Sequence, residues 1–265
     1  MTGEGNLFII VLVRSYSNFF FVCSILSYHG TIVIMSMKEG EKMFAVLSAG
    51  MAPAIALMAF FYLRKHYSEP LTLIIKTFIF GVLLVFPLMF LQYAFKTELY
   101  LGPLFHAYIV TGFTEEFFKW FVFLYVVYQH TEFDTHYDGI IYAVSISLGF
   151  ASLENIMYLL SHGIEYAFTR AIFPVSSHAL FGVMMGYHFG IAKIIKRRQS
   201  WNIFLALFLP FFLHGTYNYI LQTNQESWPL ILIPFMIFLW IVGLYRVRVA
   251  AKALQKHSYD QVTIK

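Results

Sequence analysis

Long apolar runs separated by short polar breaks dominate the chain. Seven of these runs are apolar on every side and reach the roughly 20 residues that a membrane-spanning α-helix requires. They cover about 43–63, 72–95, 102–128, 139–160, 175–195, 201–222 and 228–247. The alternation of polar and apolar residues that is typical of β-barrel strands does not occur in them. The sequence therefore predicts an all-α fold, a polytopic transmembrane bundle of about seven helices.

The N-terminal 42 residues permit two interpretations. Residues 7–34 form an eighth, less regular apolar run that contains Arg14, so they predict an additional membrane span. Alternatively, Met43 is the native start, because the codons for Lys-Glu-Gly at 38–40 can form a purine-rich ribosome-binding sequence two codons before it. We then expect 1–42 to be a translated leader. In both cases 43–249 is predicted as the functional transmembrane domain and 250–265 as a tail.

The basic residues predict an orientation in the membrane. If the 43–63 helix starts outside, twelve Lys and Arg fall on the cytoplasmic side and four on the other. The twelve are Arg64, Lys65, Lys76, Lys193, Lys196, Arg197, Arg198, Arg246, Arg248, Lys252, Lys256 and Lys265; the four are Lys38, Lys42, Lys96 and Arg170. An excess of basic residues marks the cytoplasmic side. The C-terminus is therefore predicted to be cytoplasmic.

Composition agrees with a membrane protein and excludes several other classes. The chain is 59% hydrophobic and 12% charged, with a mean hydropathy of +0.68, whereas soluble domains are about 45–50% apolar and about 25% charged. This excludes a soluble globular enzyme, a disordered chain and a nucleic-acid-binding module. The single cysteine, Cys23, excludes an intrachain disulfide and a cysteine-based metal site.

Ionisable residues inside the spans are the candidates for function, since each costs about 2.5–3.5 kcal/mol at a helix centre on insertion scales. Glu115, Glu116 and Lys119 lie in the middle of the 102–128 span. Lys119 is within pairing distance of either glutamate along a helix. A structural ion pair is the simpler interpretation, but one pair needs only one glutamate.

The second and third groups of candidate functional residues lie in the next two spans. Glu154 and Asn155 are adjacent near the outer end of the 139–160 span, where a glutamate can also simply reach the interface. His178 begins a stripe of small residues at four-residue spacing, which predicts close contact with a neighbouring helix. The glycines of that stripe are Gly182, Gly186 and Gly190. A lone histidine in such an interface is more often a packing residue than a catalytic one.

The fourth group of candidate functional residues is on the 201–222 span, where His214 and Asn218 share one helix face. Alone, this pair would be interpreted as interhelical hydrogen bonding. Under the predicted orientation, however, all four groups lie between mid-membrane and the outer end of their helices. Because charged residues in membranes face inward and pair, we expect them to line one polar chamber that is open to the outside.

The residue types in this chamber favour hydrolysis. Two close carboxyl groups do not ionise alike, so one can act as a base for water, and an imidazole and an amide can stabilise an oxyanion. No serine has a nucleophile-elbow context. A zinc site from Glu154, His178 and His214 is conceivable, but the HExxH motif is absent. These residue types predict amide hydrolysis by glutamate-activated water. They require no cofactor and leave open whether a metal takes part.

These motifs, in this order and spacing, resemble the PrsW family of intramembrane proteases. The resemblance runs from Met43 to about 249 and includes Glu115-Glu116-x-x-Lys119, Asp138-Gly139-Ile140, Phe150-x-x-x-Glu154-Asn155, the His178 stripe and His214-Gly215-x-Tyr217. The motifs are also similar to those of CAAX prenyl endopeptidases and bacteriocin-processing enzymes. One departure is Asn218, where PrsW proteins typically carry aspartate, which puts an acidic or metal-binding role at 218 in doubt.

The resemblance implies a bacterial cell-membrane enzyme that makes the first cut in a single-span anti-sigma factor, on its extracytoplasmic side. It implies catalytic roles for Glu115, Glu116, Glu154, His178, His214 and Asn218, with Lys119 and Asn155 as structural partners. The lipid bilayer and the anti-sigma factor are the expected partners, and nucleic acid is not. Two other classes stay open on the residues alone: a proton-coupled transporter and a non-enzymatic receptor or scaffold with buried acids.

Overall fold

The structure, a computed structural model, describes residues 39–64, 70–98, 102–223 and 227–263, with only the backbone given for 254–263. The predicted eighth span at 7–34 lies outside the described residues, and so does nearly all of the predicted leader. The first described helix begins at Glu39, ahead of Met43.

Seven helices make up the described part of the chain, which contains no β-strand. They are α1 (Glu39–Tyr62), α2 (Leu71–Glu98), α3 (103–127), α4 (His136–His162), α5 (Ile164–Ile195), α6 (Gln199–Thr223) and α7 (Trp228–Thr263). All except α3 are long and apolar enough to cross a membrane, α7 over Trp228–Ala253. The predicted all-α, multi-pass bundle of about seven helices is confirmed.

Helix α3 coincides with the predicted 102–128 span but is not a uniform α-helix. Two π-helical segments, His106–Phe113 and Phe123–Val127, flank the α-helical stretch Thr114–Val122. That stretch contains both glutamates and the lysine at mid-helix. Wider π-helical turns inside α-helices occur frequently at functional sites, and here they bracket the charged stretch.

Helix α5 begins earlier than predicted. The apolar run predicted a start near 175, whereas the helix starts at Ile164 and passes through a π-helical segment at Ala171–Val175. The early start places Arg170 on the helix rather than in a loop. The sequence-based boundary was wrong here because the first turns, which include Glu165 and Arg170, are too polar to extend an apolar run.

Helices α4 and α5 form the buried centre of the bundle, and the glycine stripe of α5 lies on α4. A Cβ atom added at Gly186 would come within 2.1 Å of the Gly139 carbonyl oxygen, and one at Gly190 within 2.5 Å of the His136 carbonyl. Only glycine permits this approach of two helix backbones. The predicted packing role of the stripe is confirmed, and it fixes His178, at the start of the stripe, against α4.

Candidate active site

Three helices bring five ionisable side chains together inside the bundle. Glu115, Glu116 and Lys119 come from α3, His178 from α5 and His214 from α6. All five are buried, and the side chains of Glu116 and Lys119 are 0% exposed. The sequence predicted that these helices would share a polar chamber, and their side chains do lie in contact.

The Lys119 ammonium is at the centre of this group. Its Nζ atom lies 2.8 Å from Glu116 Oε1, 3.5 Å from Glu115 Oε2 and 3.1 Å from His178 Nδ1. It also lies 4.3 Å from the centroid of the Phe150 ring. One buried cation therefore balances part of the charge of two buried carboxylates, which would otherwise be strongly unfavourable at this depth.

The contacts of His214 assign its hydrogen atoms. His214 Nδ1 lies 2.9 Å from Glu116 Oε1, and a carboxylate only accepts, so Nδ1 carries the donated hydrogen. In the neutral ring, Nε2 then has a free lone pair, and it lies 4.0 Å from Glu115 Oε2. These two basic atoms are too far apart to bond each other and remain available to a third group.

The contacts of His178 assign the opposite tautomer. Its Nδ1 atom accepts from the Lys119 ammonium, which only donates, so its Nε2–H donates to Glu154 Oε2 at 3.1 Å. Glu154 thus contacts the central group through His178 rather than directly. Its side chain is 38% exposed, so it marks the edge of the site that is open to the surroundings.

Arg170 holds Glu154 and its neighbour in place. Its Nη2 lies 3.3 Å from Glu154 Oε1, and its Nε donates to Asn155 Oδ1 at 2.9 Å. The guanidinium also lies 4.1 Å from the centroid of the Tyr158 ring. Asn155 Nδ2 in turn donates to the Gly50 carbonyl of α1 at 3.1 Å. This chain of contacts orients Glu154, and through it the ring of His178.

We expect Arg170→Gln to lower kcat by about 10- to 100-fold, the usual effect of losing a group that orients a site residue, with little change in KM. Loss of the guanidinium frees Glu154 to turn toward the exposed side, so His178 loses the acceptor that orients its ring. Arg170→Lys keeps the charge but cannot make both hydrogen bonds, so its kcat should lie between those of the wild type and of Arg170→Gln. Steady-state cleavage kinetics measure this, and an Arg170→Gln enzyme with wild-type kcat would contradict it.

Three buried polar atoms around the site have no hydrogen-bond partner among the described residues. They are Glu115 Oε2, Glu116 Oε2 and Asn218 Nδ2. The other Glu115 oxygen accepts from Gln92 Nε2 of α2 at 3.1 Å. Buried polar groups are nearly always paired, and each exception requires an explanation. Two acceptors free of hydrogen bonds within the group, and one free donor a helical turn from His214, indicate room for a polar reactant or an ion.

The donor set fits a divalent metal. Glu115, Glu116, His178 and His214 each offer one ligand atom, and these atoms lie within 4.8 Å of one another. Two imidazoles with carboxylates are the donor chemistry of catalytic zinc sites, and two carboxylate oxygens are free. The set differs from the predicted trio, because Glu154 lies outside it. The Lys119 ammonium contacts three of the four side chains, so a cation held by all four has to displace it.

Sequence reasoning missed two residues that contact the site, Arg170 and Gln92. Gln92 is a lone amide in the apolar 72–95 span, so the search for polar residues within spans would have found it if extended beyond ionisable groups. Arg170 was counted only toward orientation, because the predicted helix began after it. Asn218 lies one turn from His214 as predicted, but it bonds to none of the described site residues.

Comparison with known proteins identifies relatives over most of the chain. The model of a family described as PrsW family intramembrane metalloprotease matches residues 69–244. Protease PrsW of Oceanobacillus iheyensis is 56% identical over 207 residues, which cover 78% of this chain and 96% of the relative. Protease PrsW of Bacillus subtilis is 49% identical over 212 residues, covering 78% and 96%. That of Clostridioides difficile is 28% identical over 201 residues, covering 71% and 84%. No solved structure matches the chain.

Proposed function

Because this chain belongs to the PrsW family of intramembrane metalloproteases and is a peptidase of the membrane, we propose that it cuts a membrane-anchored anti-sigma factor. The substrate crosses the membrane once, and the cut is made on its extracytoplasmic side. This is the first cleavage in the release of an envelope-stress sigma factor, as the resemblance of the motifs implies.

One observation carries the chemical part of the proposal. Glu115 Oε2 is buried and accepts no hydrogen bond from the described residues, and His214 Nε2 lies 4.0 Å from it. Two basic atoms placed in this way can bind a water molecule and take its proton as the water oxygen attacks a peptide carbonyl. Glu116 is already bonded by Lys119 and His214, so we assign the base to Glu115 and the positioning of His214 to Glu116.

The remaining steps use groups that are already in place. The attacking water forms the new C–O bond and gives one proton to Glu115, and the carbonyl oxygen becomes an oxyanion. The free Nδ2 of Asn218, one turn from His214, donates to that oxyanion. Glu115 then returns its proton to the amine as the C–N bond breaks, which leaves a carboxyl and an amino terminus. We assign to His214 the binding of the attacking water rather than the stabilisation of the oxyanion, since its N–H hydrogen is already donated to Glu116.

A divalent metal is the alternative to this assignment, because its ligands would include Glu115 and His214. Held by Glu115, Glu116, His178 and His214, it would supply Lewis-acid polarisation of the carbonyl and a more acidic water. The chain itself would then keep His178 in its metal-binding tautomer through Glu154 and Arg170. Lys119 limits access to the ligands, because its ammonium contacts three of these side chains.

The distribution of charge supports the proposed sidedness. The site lies in the half of the bundle away from the basic ends of α5 and α7, and an excess of Lys and Arg marks the cytoplasmic side. Glu154 and Arg170 then form the mouth of the site toward the outside, and the C-terminal tail after 249 is cytoplasmic. We assign the protease domain to 43–249.

Reconstitution tests the function directly. The purified full chain and a single-span anti-sigma substrate are incorporated in liposomes, and cleavage is followed with and without a chelator, together with the metal content of the purified protein. We expect one cut at the extracytoplasmic end of the substrate span. Loss of cleavage with chelator, restored by one added metal, assigns the metal-assisted route, whereas unchanged cleavage of metal-free protein assigns the glutamate-only route. No cut in either condition would contradict the proposed function and favour a transporter or scaffold.

We expect Asn218→Asp to lower turnover by about 10²–10³-fold, the usual effect of losing one oxyanion donor. An ionised aspartate repels the developing negative charge, and Asn218→Leu, which has no donor, should be equally slow. Turnover of both variants at neutral pH measures the effect. An active aspartate variant beside an inactive leucine variant would instead assign proton handling or metal binding to 218, and two active variants would assign packing.

A further inference from the structure

A second polar cluster lies at the other end of the bundle, around the ring of Tyr187 on α5. It includes His136, the first residue of α4, and the α4 helix rises about 27 Å between His136 and Glu154 at 1.5 Å per residue. We propose that this cluster binds a phosphate group, with the headgroup of an anionic phospholipid in the adjacent leaflet as its source. Nothing in the proposed proteolysis uses these residues.

Three nitrogen-bearing side chains from three helices converge on the Tyr187 ring. The ring centroids of His136 and His188 lie 4.7 Å and 5.4 Å from its centroid. The guanidinium carbon of Arg246, on α7, lies 4.6 Å from the same centroid. The close packing of α4 on α5 at Gly139 and the glycine stripe brings His136 into this position.

Each of these side chains has a buried nitrogen without a partner among the described residues. They are His136 Nδ1, His188 Nε2 and Arg246 Nε. The opposite ring nitrogens donate, His136 Nε2 to the Tyr187 carbonyl and His188 Nδ1 to Asn202 Oδ1, both at 2.9 Å, so in the neutral rings the free nitrogens are acceptors. Both histidines are only 5% exposed. One unpaired donor and two unpaired acceptors in one cluster indicate a missing polar ligand that both accepts and donates hydrogen bonds.

The charge of the cluster indicates an anion rather than water alone. Arg246 forms no ion pair with the described acidic residues, and a water molecule would satisfy its hydrogen but not its charge. The nearby acid, Asp138, caps the N-terminus of α4: its Oδ2 accepts from the backbone nitrogens of Asp134 and Thr135 at 3.1 and 2.6 Å. A planar guanidinium matches the oxygens of a phosphate, and the two free imidazole nitrogens accept from hydroxyl groups of the headgroup or of a protonated phosphate.

The adjoining loop adds three basic residues, Lys196, Arg197 and Arg198, beside the cluster. Asn202, which bonds His188, also donates to the carbonyls of Arg197 and Arg198 at 2.7 and 3.3 Å. Lys196 and Arg198 have φ values of 54° and 43°, and Lys196 is the left-handed residue that ends α5. The hydrogen bonds of Asn202 therefore join the basic loop to the cluster.

The position relative to the membrane selects the source of the phosphate. Under the predicted orientation these helix ends face the cytoplasmic leaflet, and basic pockets between transmembrane helices on that side bind anionic headgroups. A free phosphate is the alternative source of the same chemistry. Recognition of the headgroup would fix α4, α5, α6 and α7 together at the end opposite the site.

Binding to the purified full chain in an uncharged detergent tests this proposal. Thermal unfolding is measured with phosphatidylglycerol, with phosphatidylcholine and with inorganic phosphate, and bound lipid is counted by native mass spectrometry. We expect phosphatidylglycerol to raise Tm and to bind, and Arg246→Gln to bind it about tenfold more weakly, equivalent to about 1.4 kcal/mol. The matched control is Arg248→Gln, which removes the same charge from an exposed position two residues along α7 and should bind as wild type does.

The three ligands and the two variants distinguish a headgroup site from a free-phosphate site and from no specific site. Stabilisation by phosphatidylglycerol alone supports the headgroup, and equal stabilisation by inorganic phosphate supports the same site with a free ligand. Equal effects of phosphatidylglycerol and phosphatidylcholine, or equal binding by the Gln variants at 246 and 248, would overturn the proposal. If Arg246→Gln does not accumulate, Arg246→Lys replaces it, since it lacks the Nε donor; unchanged affinity in that variant also overturns the proposal.

Discussion

Glu115→Gln is expected to abolish cleavage while the protein inserts and accumulates normally. Glutamine keeps the size of the side chain and its contact with Gln92, but its amide cannot take a proton from water. Glu115 Oε2 accepts no hydrogen bond from the described residues, and Lys119, which lies 3.5 Å from it, keeps Glu116 as its closer partner at 2.8 Å. The proposed base supplies general-base catalysis worth about 10²–10⁴-fold, and any metal ligand at this position would be lost with it.

The measurement is cleavage of the reconstituted substrate, with membrane abundance followed in parallel. Glu165→Gln is the matched control, because Glu165 is an exposed acid at the start of α5 and should retain full activity. Glu116→Gln should also be inactive but less abundant, since it removes the negative charge of the acceptor shared by Lys119 and His214. Near-normal activity of the Glu115 variant would disprove the assignment of the base.

Lys119→Met is expected to lower the stability of the protein by about 3–5 kcal/mol, the usual loss when one partner of a buried ion pair is removed. Glu115 and Glu116 are 7% and 0% exposed, and Lys119 is the cation that contacts both. Without it, two carboxylates face each other inside the bundle and His178 Nδ1 loses its donor. Membrane abundance and thermal unfolding in detergent measure the effect.

Two further variants make this result specific. Lys76→Met removes an exposed lysine from α2 and should leave stability unchanged. Combining Lys119→Met with Glu116→Gln removes both partners of the closest pair, so stability should partly return while activity does not. Normal abundance of Lys119→Met with no activity would instead assign Lys119 to the chemistry.

Much of the fold was predictable, because membrane spans are determined by local apolar length. The seven runs match seven helices, and α3 follows its predicted span within a residue or so. The start of α5 was mispredicted, since its first turns carry Glu165 and Arg170 and are continued by tertiary contacts. Its π-helical segments also leave no signal in hydropathy, because wide turns change backbone bonding and not composition.

The residues of the candidate site were predictable for the same reason. A charge inside an apolar span is unfavourable enough to require a partner, so Glu115, Glu116 and His178 could be selected from the sequence without knowing their contacts. The glycine stripe further predicted that His178 lies at a helix interface, and α4 is the helix on which it packs.

By itself, the sequence determined which runs are long and apolar enough to form membrane helices and which polar residues lie inside those runs. Only the tertiary structure decided which atoms meet, because contacts such as Lys119 with His178 and Arg170 with Glu154 depend on the rotation of each helix about its axis. Hydropathy does not fix that rotation when a run is apolar on every side. The helix–helix packing does, and it selected the tautomer of each imidazole and put Glu154 outside the group that can hold a metal.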